Sequence, residues 1–488
     1  MKPASISVVL VTIACSANST HRTDGGAFGT ASQGMASVSG SESAGPSDSG
    51  PGTDGGSPDT HEGGQADTHG GGSDTNEGGP NGDGHSSTGS PTGVDSSGSD
   101  GGVKFDTPVA EGGATAEGGG ANGECGCGNM DWSYVWIANS FESTVSKINT
   151  RTMVEEGRYL TRADANGNPS RTSVSIDGRA VAVANRHTGI VKIWARPEFC
   201  SDQNGTPGIQ TSSGGLNVLP WGQDDCVAWY ADFSDKTVQR PVQWTPGVGP
   251  CHENQKVWTT TGSGGMSPGY CGDGGVWVHR LNGDTGVVED TIPIEPARLE
   301  CSLLGSPGGL GPYGGAVDHE GNFWFHIFGI GPLVRVDFDT LDVEIFAEGG
   351  GYGITVDTKA RAWMSGGMRR FDYATNTWAY QSVSQNGGIA QDLQQRIWAA
   401  AGTGGGVVWV DMETLAVGGT VMVPGGQVKG VSVDIDGYIW AVPQGTVAHK
   451  IDPNTFAFTT FSGLGSAYTY SDMTGGALAN VTCNPPAD

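Results

Sequence analysis

The stretch VDIDGYIWAV, residues 433–442, decides the fold because close relatives of it recur along the chain. These relatives are VDHEGNFWFH (317–326), VDTKARAWMS (356–365) and the more divergent QDLQQRIWAA (391–400). The shared tryptophans are spaced by 39, 35 and 42 residues, and they are Trp324, Trp363, Trp398 and Trp440. A period of this length indicates a repeat architecture in which neighbouring units cover each other's apolar faces.

Each repeat has the pattern of four short strands. An apolar strand leads into a tight turn at Asp318, Asp357 or Asp434, and the Trp strand follows. A third strand ends in an Asp-x-x-Thr turn, whose Asp and Thr can bond their own backbone. Gly437 supplies the positive φ of the tight turn, and the Trp fills the space between neighbouring sheets. We therefore predict an all-β, seven-bladed β-propeller, with six blades as the alternative count.

The repeat is more divergent before residue 311. The segment 134–157 carries a Trp strand, and 173–194 repeats the Asp-Gly turn with Val181 or Val183 where Trp is expected. A Gly- and Cys-rich insertion is predicted at about 196–274, and KVWTTTG with GVWVHRLNGDTG indicates a further unit inside it. The count falls to six if the insertion hides no blade.

The C-terminal segment AYTYSDMTGGALANVT (467–482) has no Trp module behind it. We predict that it forms a lone strand pair. One of its strands would complete the first blade, which lacks the strand before its Trp strand. This closure joins the two ends of the ring and removes the open sheet edges.

The composition divides the chain near residue 124. Residues 16–124 hold sixteen Asp and Glu against two basic residues, and their only aromatics are Phe28 and Phe105. This small apolar surface cannot offset the backbone entropy that folding would cost. We therefore predict a disordered, acidic, Gly/Ser/Asp-rich linker. All 14 tryptophans lie beyond it. Residues 125–488 are therefore predicted to be the propeller.

The first fifteen residues, MKPASISVVLVTIAC, resemble a bacterial lipoprotein signal peptide that ends at Cys15. The resemblance implies lipidation of Cys15 and a location at the outer membrane, at the cell surface or in the periplasm. An ordinary secretion signal, giving a secreted protein, is the alternative. The apolar run is too short to span a bilayer.

The net charge of −27 is shared about equally by the linker and the propeller. Binding to nucleic acid or to an anionic membrane face needs clustered Lys and Arg, and the sequence has no basic run. We therefore predict no nucleic-acid partner and membrane contact only through the lipid anchor. The protein is expected to be a monomer.

Eight cysteines remain besides Cys15: Cys125, Cys127, Cys200, Cys226, Cys251, Cys271, Cys301 and Cys483. An even number in an exported chain predicts disulfides, and the local pairs Cys200–Cys226 and Cys251–Cys271 are our first candidates. A link from Cys483 to the Cys125–Cys127 pair would pin the ring closure. A zinc site is the rival reading, but CGC at 125–127 lacks the usual ligand spacing.

The segments 311–329 and 350–367 resemble the repeat of the virginiamycin B lyase (streptogramin lyase) family. Gly353, Ile354, Asp357 and Trp363 carry the resemblance in the second segment. It implies a seven-bladed propeller, and its lyase members open a cyclic depsipeptide by elimination with Mg²⁺ and a His–Glu–His set. These matching residues are blade framework and specify fold better than chemistry. The family's Trp-Phe-Thr-Glu strand reads Trp-Phe-His-Ile here, ending at Ile327, so its acid is missing.

Three histidines are weak candidates for catalysis, namely His326, His279 and His187. A histidine near a channel mouth can act as a base or bind a metal beside carboxylates. The competing reading is a hydrogen-bonded framework residue.

A weak calcium-loop pattern occurs at 202–212, DQNGTPGIQTS, with Asp202, Asn204 and Thr206 at alternating positions. It lacks the Gly at the sixth position and the Glu at the twelfth. No cofactor is certain from the sequence, and Mg²⁺ or Ca²⁺ are the candidates.

The sequence thus favours an exported, lipid-anchored propeller that acts as a binding or interaction module for a protein, peptide or small molecule. The alternative is an enzyme, a carbon–oxygen lyase of the streptogramin lyase type with a metal-assisted site at the propeller mouth. The side chains that line the two openings of the channel distinguish these functions.

Overall fold

The computed structural model of the chain describes residues 130–262, 275–299, 311–329, 331–402 and 404–486. The predicted signal peptide with Cys15, the predicted linker, and Cys125, Cys127, Cys271 and Cys301 lie outside these residues. Within them the chain consists mostly of β-strands, with one α-helix, α1 (Gly476–Cys483). The prediction of an all-β propeller is confirmed.

Five four-stranded antiparallel sheets follow one another along the chain, and in each the strands neighbour each other in chain order. They are β4 (Pro169–Val174), β5 (Ala180–Asn185), β6 (Ile190–Trp194) and β7 (Val227–Ala231); β8 (Val238–Trp244), β9 (Lys256–Gly262), β10 (Val276–Asn282) and β11 (Val288–Ile294); β12 (Pro312–Val317), β13 (Phe323–Ile327), β14 (Leu333–Val336) and β15 (Val343–Phe346); β16 (Ile354–Val356), β17 (Arg361–Met364), β18 (Arg369–Asp372) and β19 (Thr377–Tyr380); β20 (Gln385–Gln391), β21 (Arg396–Ala401), β22 (Val407–Asp411) and β23 (Val417–Val421).

A sixth sheet, here called the seam sheet, has seven strands and contains both ends of the described chain. Its strands are β24 (Val428–Val433), β25 (Ile439–Pro443), β26 (Gly445–Ile451), β27 (Phe458–Ala467), β1 (Tyr134–Asn139), β2 (Thr144–Asn149) and β3 (Val154–Leu160), in this spatial order.

The first strand of each sheet lies at the centre of the molecule. β4 packs beside β8, and the contacts continue through β12, β16 and β20 to β24. Every residue of β8 and β12 is buried, whereas the fourth strands β11 and β19 are largely exposed or half-buried. This radial arrangement of antiparallel sheets defines the propeller.

The C-terminal segment closes the ring, as the sequence predicted. Ala467 pairs with Asn139 of β1, and the following residues 468–474 continue beside that strand. The Tyr468 N–H donates to the Ala138 carbonyl at 3.0 Å, and the Trp136 N–H donates to the Met473 carbonyl at 2.8 Å. Residues 467–474, called the closing segment below, therefore cover the inner edge of β1.

The rest of the tail differs from the prediction, since Gly476–Cys483 forms helix α1 and not a second strand. The Asp472 carboxylate accepts the N–H groups of Ala477 at 3.2 Å and Leu478 at 3.0 Å at the start of this helix. The closing segment already covers the inner edge of β1. The residues Ala-Leu-Ala also favour a helix. α1 packs against β16, β20 and β24, with Leu478 and Val481 buried.

The span predicted as an insertion, 196–274, contains three regular strands. β7 completes the sheet that begins with β4, and β8 and β9 begin the next sheet. The irregular part is the loop 200–226, which the Cys200–Cys226 disulfide closes. That predicted pair is confirmed. The Gly- and Cys-rich composition makes these strands hard to recognise in the sequence. Their Val and Trp residues become buried only when neighbouring sheets pack against them.

Cys251 and Cys483 are also disulfide-bonded. Cys271, the predicted partner of Cys251, lies outside the described residues. In the described part of the chain, no helix is long and apolar enough to cross a membrane.

The repeated Asp and Trp form one local unit. In each of four turns the Asp Oδ1 accepts the backbone N–H groups two and four residues later, and its Oδ2 accepts the indole N–H six residues later at 2.8–2.9 Å. The pairs are Asp318–Trp324, Asp357–Trp363, Asp392–Trp398 and Asp434–Trp440. All four indoles are buried. One carboxylate thus stabilises both the turn and the Trp side chain that fills the space between neighbouring sheets.

In the divergent β4–β5 turn, the Asp and the Trp are both replaced. Val181 stands in the Trp position and has no side-chain N–H to donate. Ser175 stands in the Asp position. The Ser175 Oγ accepts the Ala180 N–H at 3.0 Å, so it serves the turn alone. With no indole at position 181, no carboxylate is needed at position 175 to accept its N–H.

Five Lys and Arg side chains, two buried and three half-buried, link strands around the ring. Each donates to a backbone carbonyl near the end of another strand: Lys147 to Ala195, Lys192 to Gly283, Arg280 to Phe338, Arg370 to Met412 and Lys450 to Thr150. The bond from Lys450 to Thr150 lies within the seam sheet and joins the two ends of the chain.

Candidate functional site

The central channel is closed where the innermost strands end. A cavity of about 20 Å³ remains between these strands and α1, with Val317, Val356 and Leu478 among its lining residues. This volume holds about one water molecule. The Ser471 Oγ, also in the lining, has no hydrogen-bond partner among the described residues. This end of the channel therefore offers no space for a larger ligand.

At the opposite end, where the innermost strands begin, four tyrosines form what we call the tyrosine layer. Its members are Tyr313, Tyr352, Tyr468 and Tyr470. The ring centroid of Tyr313 lies 5.0 Å from that of Tyr352 and 5.7 Å from that of Tyr470. Phe328 packs on Tyr313 at 4.4 Å. The layer lies at this end of the channel, called the mouth below, and Tyr313, Tyr352 and Tyr470 are buried in it.

The hydroxyl groups of the layer face one another. The Tyr468 hydroxyl lies 3.2 Å from the Tyr313 hydroxyl and also contacts the Tyr352 hydroxyl. The Tyr470 hydroxyl is buried and has no hydrogen-bond partner in the described part of the chain. The layer thus presents O–H groups that can act as donors at the mouth.

Arg171 of β4 is buried against the tyrosine layer. Its guanidinium lies 3.2 Å from the Tyr470 ring centroid and 4.7 Å from that of Tyr313. Nε and Nη2 donate to the Tyr313 carbonyl at 3.0 and 2.9 Å, and Nη1 donates to the Ser170 Oγ at 2.9 Å. Complete burial lowers the pKa of Arg171 to about 9, so it remains charged at neutral pH.

Three further cations lie on the tyrosine rings and are called the mouth cations. Arg186 is 4.3 Å from the Tyr468 centroid, Arg240 is 4.8 Å from that of Tyr313, and Lys429 is 4.5 Å from that of Tyr352. Stacking of this kind is a cation–π interaction.

The pKa values of the tyrosines reflect both their burial and the positive charges around them. Burial by itself raises the pKa of Tyr313, but the neighbouring charges of Arg171 and Arg240 lower it, and the net direction is downward. Burial raises the pKa of Tyr352, and the neighbouring tyrosines add to the effect. The neighbouring positive charges thus favour the anionic form of Tyr313, whereas burial disfavours it at Tyr352.

The repeat contains a signal for this site. The residue five positions before the turn Asp begins each innermost strand, and it is Tyr313, Tyr352, Gly387 and Lys429 in the four clear repeats. Three of these four contribute to the mouth. Side chains at one repeat position converge on the axis because each blade presents the same register there.

His326, the first histidine candidate, is fully buried in β13. Its Nδ1 lies 3.2 Å from the Ile327 carbonyl. Its Nε2 lies near the Tyr352 backbone, but it makes no hydrogen bond of acceptable geometry with a described residue. Burial lowers the pKa of His326 to about 4, so the ring is neutral at pH 7.

His279 and His187 do not join His326. His279 is buried in β10, with Nε2 2.8 Å from the Thr261 hydroxyl and Nδ1 3.0 Å from the Thr291 hydroxyl. Burial lowers its pKa to about 4. The His187 Nδ1 lies 2.8 Å from the Asn166 carbonyl. Each histidine bonds its own surroundings, as expected for framework residues.

The calcium-loop candidates lie in the loop closed by the Cys200–Cys226 disulfide. The Asp202 carboxylate accepts the Gly208 N–H at 3.0 Å, and the Asn204 amide donates to Asp225 at 3.1 Å. The Thr206 N–H bonds back to Asn204 at 2.7 Å. Within the described ranges, no group of three His, Cys, Asp or Glu side chains is arranged to hold a metal ion.

No protein-family model matches the sequence, and no curated protein matches it. Solved structures do resemble it. Selenomethionine-substituted virginiamycin B lyase from Staphylococcus aureus is 13% identical, with a TM-score of 0.41 over 64% of this chain and 92% of that chain. BamB from Moraxella catarrhalis is 12% identical, with a TM-score of 0.40 over 71% of this chain and 87% of that chain.

AztD from Citrobacter koseri, in its apo form, is 10% identical, with a TM-score of 0.43 over 70% of this chain and 97% of that chain. The chain is thus similar to β-propellers that carry different names. The resemblance to virginiamycin B lyase indicated by the repeat is confirmed as a similarity of structure.

Proposed function

We propose that this protein is a binding module that takes its ligand at the mouth floored by the tyrosine layer. The observation that supports the proposal is the convergence of four tyrosines and four cations where the innermost strands begin. Aromatic rings with a few polar groups are typical of sites that bind small molecules or peptides. The opposite end of the channel is closed by α1, so the ligand enters from one side.

The lyase-type alternative receives less support. A general base has to reach the proton that it abstracts. His326 and His279 are buried, and both have lowered pKa values caused by burial. The side chains of the mouth are cations and phenols, which bind and orient a ligand.

We also propose that the seam sheet is two blades, which gives seven in total. β24–β27 would form one blade, and β1–β3 with the closing segment would form the other. The pairing of β27 supports this division: residues 458–462 pair with β26, the register shifts, and Ala467 is the one residue that pairs with β1.

The proposal includes export and a lipid anchor at Cys15. The linker of about 109 residues would span roughly 55–60 Å as a random coil and would hold the propeller away from a membrane. We expect the full chain expressed in a bacterium to be labelled by a palmitate analogue and to sediment with membranes. A Cys15→Ser variant that still sediments and still takes the label would contradict the anchor.

A ligand screen tests the binding function. A library of neutral and charged small molecules and short peptides is screened by ligand-observed NMR against the wild-type protein and against Phe328→Ser, which removes an aromatic wall of the mouth. We expect mouth ligands to lose their signal with Phe328→Ser.

Phe458→Ser is the matched control, because Phe458 is a partly exposed phenylalanine at 40% on β27. Its ligands should be those of the wild type. Binding that is unchanged by Phe328→Ser, or a screen without any ligand, would contradict the proposal.

A further inference from the structure

We infer that the mouth recognises an oxyanion, a carboxylate, phosphate or sulfate group of its ligand, with Lys429 as the principal charged contact. This inference rests on the proposed binding function and specifies the chemical class of the ligand. Three observations carry it: the local charge, an ammonium group that donates to no described residue, and the hydroxyl groups beside it.

The first observation is the concentration of positive charge. The chain holds 52 acidic residues against 25 Lys and Arg. Arg171 and the three mouth cations nevertheless converge on one tyrosine layer. In the described part of the chain, no Asp or Glu forms an ion pair with Arg171, Arg186 or Lys429. Buried charges are normally paired, so the positive charge of these three residues favours a bound anion.

The second observation concerns the Lys429 ammonium group. Lys429 is only 7% exposed, yet its Nζ makes no hydrogen bond with any described residue. Two lysines of similar burial behave differently: the Nζ of Lys147 and that of Lys192 each donate to a carbonyl at 2.8 Å. An ammonium group has three donors. Those of Lys429 remain available to a ligand.

The third observation is the set of hydroxyl groups beside Lys429. Its ammonium lies over the Tyr352 ring, whose hydroxyl contacts that of Tyr468. Phenol O–H groups donate readily to anionic oxygen, and charge-assisted bonds of this kind are about twice as strong as neutral ones. Lys429 thus supplies donors directly, and one hydroxyl proton not used within the layer can add another, while Arg186 on Tyr468 adds charge at the rim.

The test measures anion binding by isothermal titration calorimetry in a chloride-free buffer of low ionic strength. The probes are sodium sulfate, inorganic phosphate, acetate and benzoate, titrated separately. We expect saturable binding of at least one probe. Lys429→Met should weaken it at least tenfold, and Lys429→Arg should retain most of it because the charge remains. The order of affinities identifies the preferred oxyanion.

Lys236→Met is the matched control. The Lys236 ammonium also lies 4.5 Å from a ring centroid, that of Trp277, but it is paired with the Asp235 carboxylate. Its loss should leave the affinity unchanged. Near-ultraviolet circular dichroism of each variant verifies that the fold is retained.

Equal weakening by both Lys→Met variants, or saturable binding that Lys429→Met leaves unchanged, would overturn the inference. If no probe binds but neutral ligands depend on Phe328, the binding function stands and the oxyanion inference fails. If neither probes nor library compounds bind at the mouth, both fail.

Discussion

At the scale of single residues, a buried carboxylate connects each tight turn to its tryptophan. Oδ1 satisfies two backbone N–H groups, and Oδ2 accepts the indole N–H. A buried donor without a partner costs roughly 1–3 kcal/mol, so one side chain protects several such groups. Asp434 illustrates the energetic balance: burial raises its pKa to about 6, while Lys450, the Trp440 N–H and the Tyr438 N–H act in the opposite direction.

We expect Asp434→Ala to lower the free energy of unfolding by about 3 kcal/mol or more, because three N–H donors lose their acceptor. Urea unfolding followed by tryptophan fluorescence measures the change. Asp434→Ser should recover part of the loss, since Ser175 serves the turn in the β4–β5 hairpin. Asp339→Ala, at an exposed position, is the control, and an equal loss in both alanine variants would contradict the assignment.

Asp472 predicts a pH dependence of stability. Burial raises its pKa from 3.8 to about 6, although backbone N–H groups of the α1 start lower it. A raised folded-state pKa means that the folded protein binds the proton more tightly. The stabilisation is complete below about pH 4 and is lost as the pH rises to about 6, by about 3 kcal/mol.

Asp472→Asn should therefore reduce the slope of the unfolding free energy between pH 4 and pH 6.5, measured by urea unfolding at several pH values, while the contribution of Asp434, whose pKa burial also raises to about 6, remains. The amide accepts only one of the two helix N–H groups, so its absolute stability also falls, and the slope is the informative quantity. Asp342→Asn, at an exposed site, should keep the wild-type slope. A slope that Asp472→Asn leaves unchanged would refute the role of this carboxylate.

At the scale of elements, each hairpin needs one residue with positive φ after its Asp turn. Gly321 (φ 89°) and Gly437 (φ 85°) occupy that position in two repeats, whereas Ala360 (φ 57°) and Gln395 (φ 59°) occupy it in the others. A side chain in the left-handed region costs roughly 1–2 kcal/mol. The divergent repeats keep the turn because the Asp and its Trp hold it from both sides.

Gln395→Gly should therefore raise the free energy of unfolding by about 0.5–1 kcal/mol, because relief of the left-handed strain exceeds the added freedom of the unfolded chain. Thermal unfolding should show a higher Tm. The reverse change, Gly437→Ala, should lower the Tm, since its Cβ would stand 3.2 Å from the Leu393 side chain at φ 85°. Equal signs for the two variants would contradict the explanation.

At the scale of the whole molecule, the closing segment and α1 have different tasks. The segment satisfies the inner edge of β1, and α1 covers the end of the channel with Leu478 and Val481. Open edges promote association between chains. Closure is therefore a condition for a discrete propeller, and α1 adds stability to a ring that is already closed.

Two truncations separate these tasks. A chain that ends at Thr474 should stay monomeric in size-exclusion chromatography and unfold cooperatively with a lower Tm. A chain that ends at Ser466 should self-associate or unfold, because β1 loses its inner partner. Identical behaviour of the two truncations would contradict this division, and a Cys483→Ser variant of the full chain controls for the lost disulfide.

The sequence by itself determined the repeated unit, the turn Asp residues and the closure of the ring, because these depend on local hydrogen bonds and on a period that survives in the residue pattern. It also identified Cys200–Cys226, two cysteines that flank one irregular loop. Asp392 was missed although it occupies the same position in QDLQQRIWAA, six residues before Trp398.

Only the tertiary structure decided the tail helix and the mouth. The segment 476–483 becomes helical and packs against β16, β20 and β24, where Leu478 and Val481 are buried. Arg171, Tyr313, Lys429 and Tyr470 are far apart in the chain, and only the radial packing of the sheets brings them to one axis. The repeat position of Tyr313 and Lys429 is visible in the sequence, but Arg171 and Tyr470 join them only through the relative placement of whole elements.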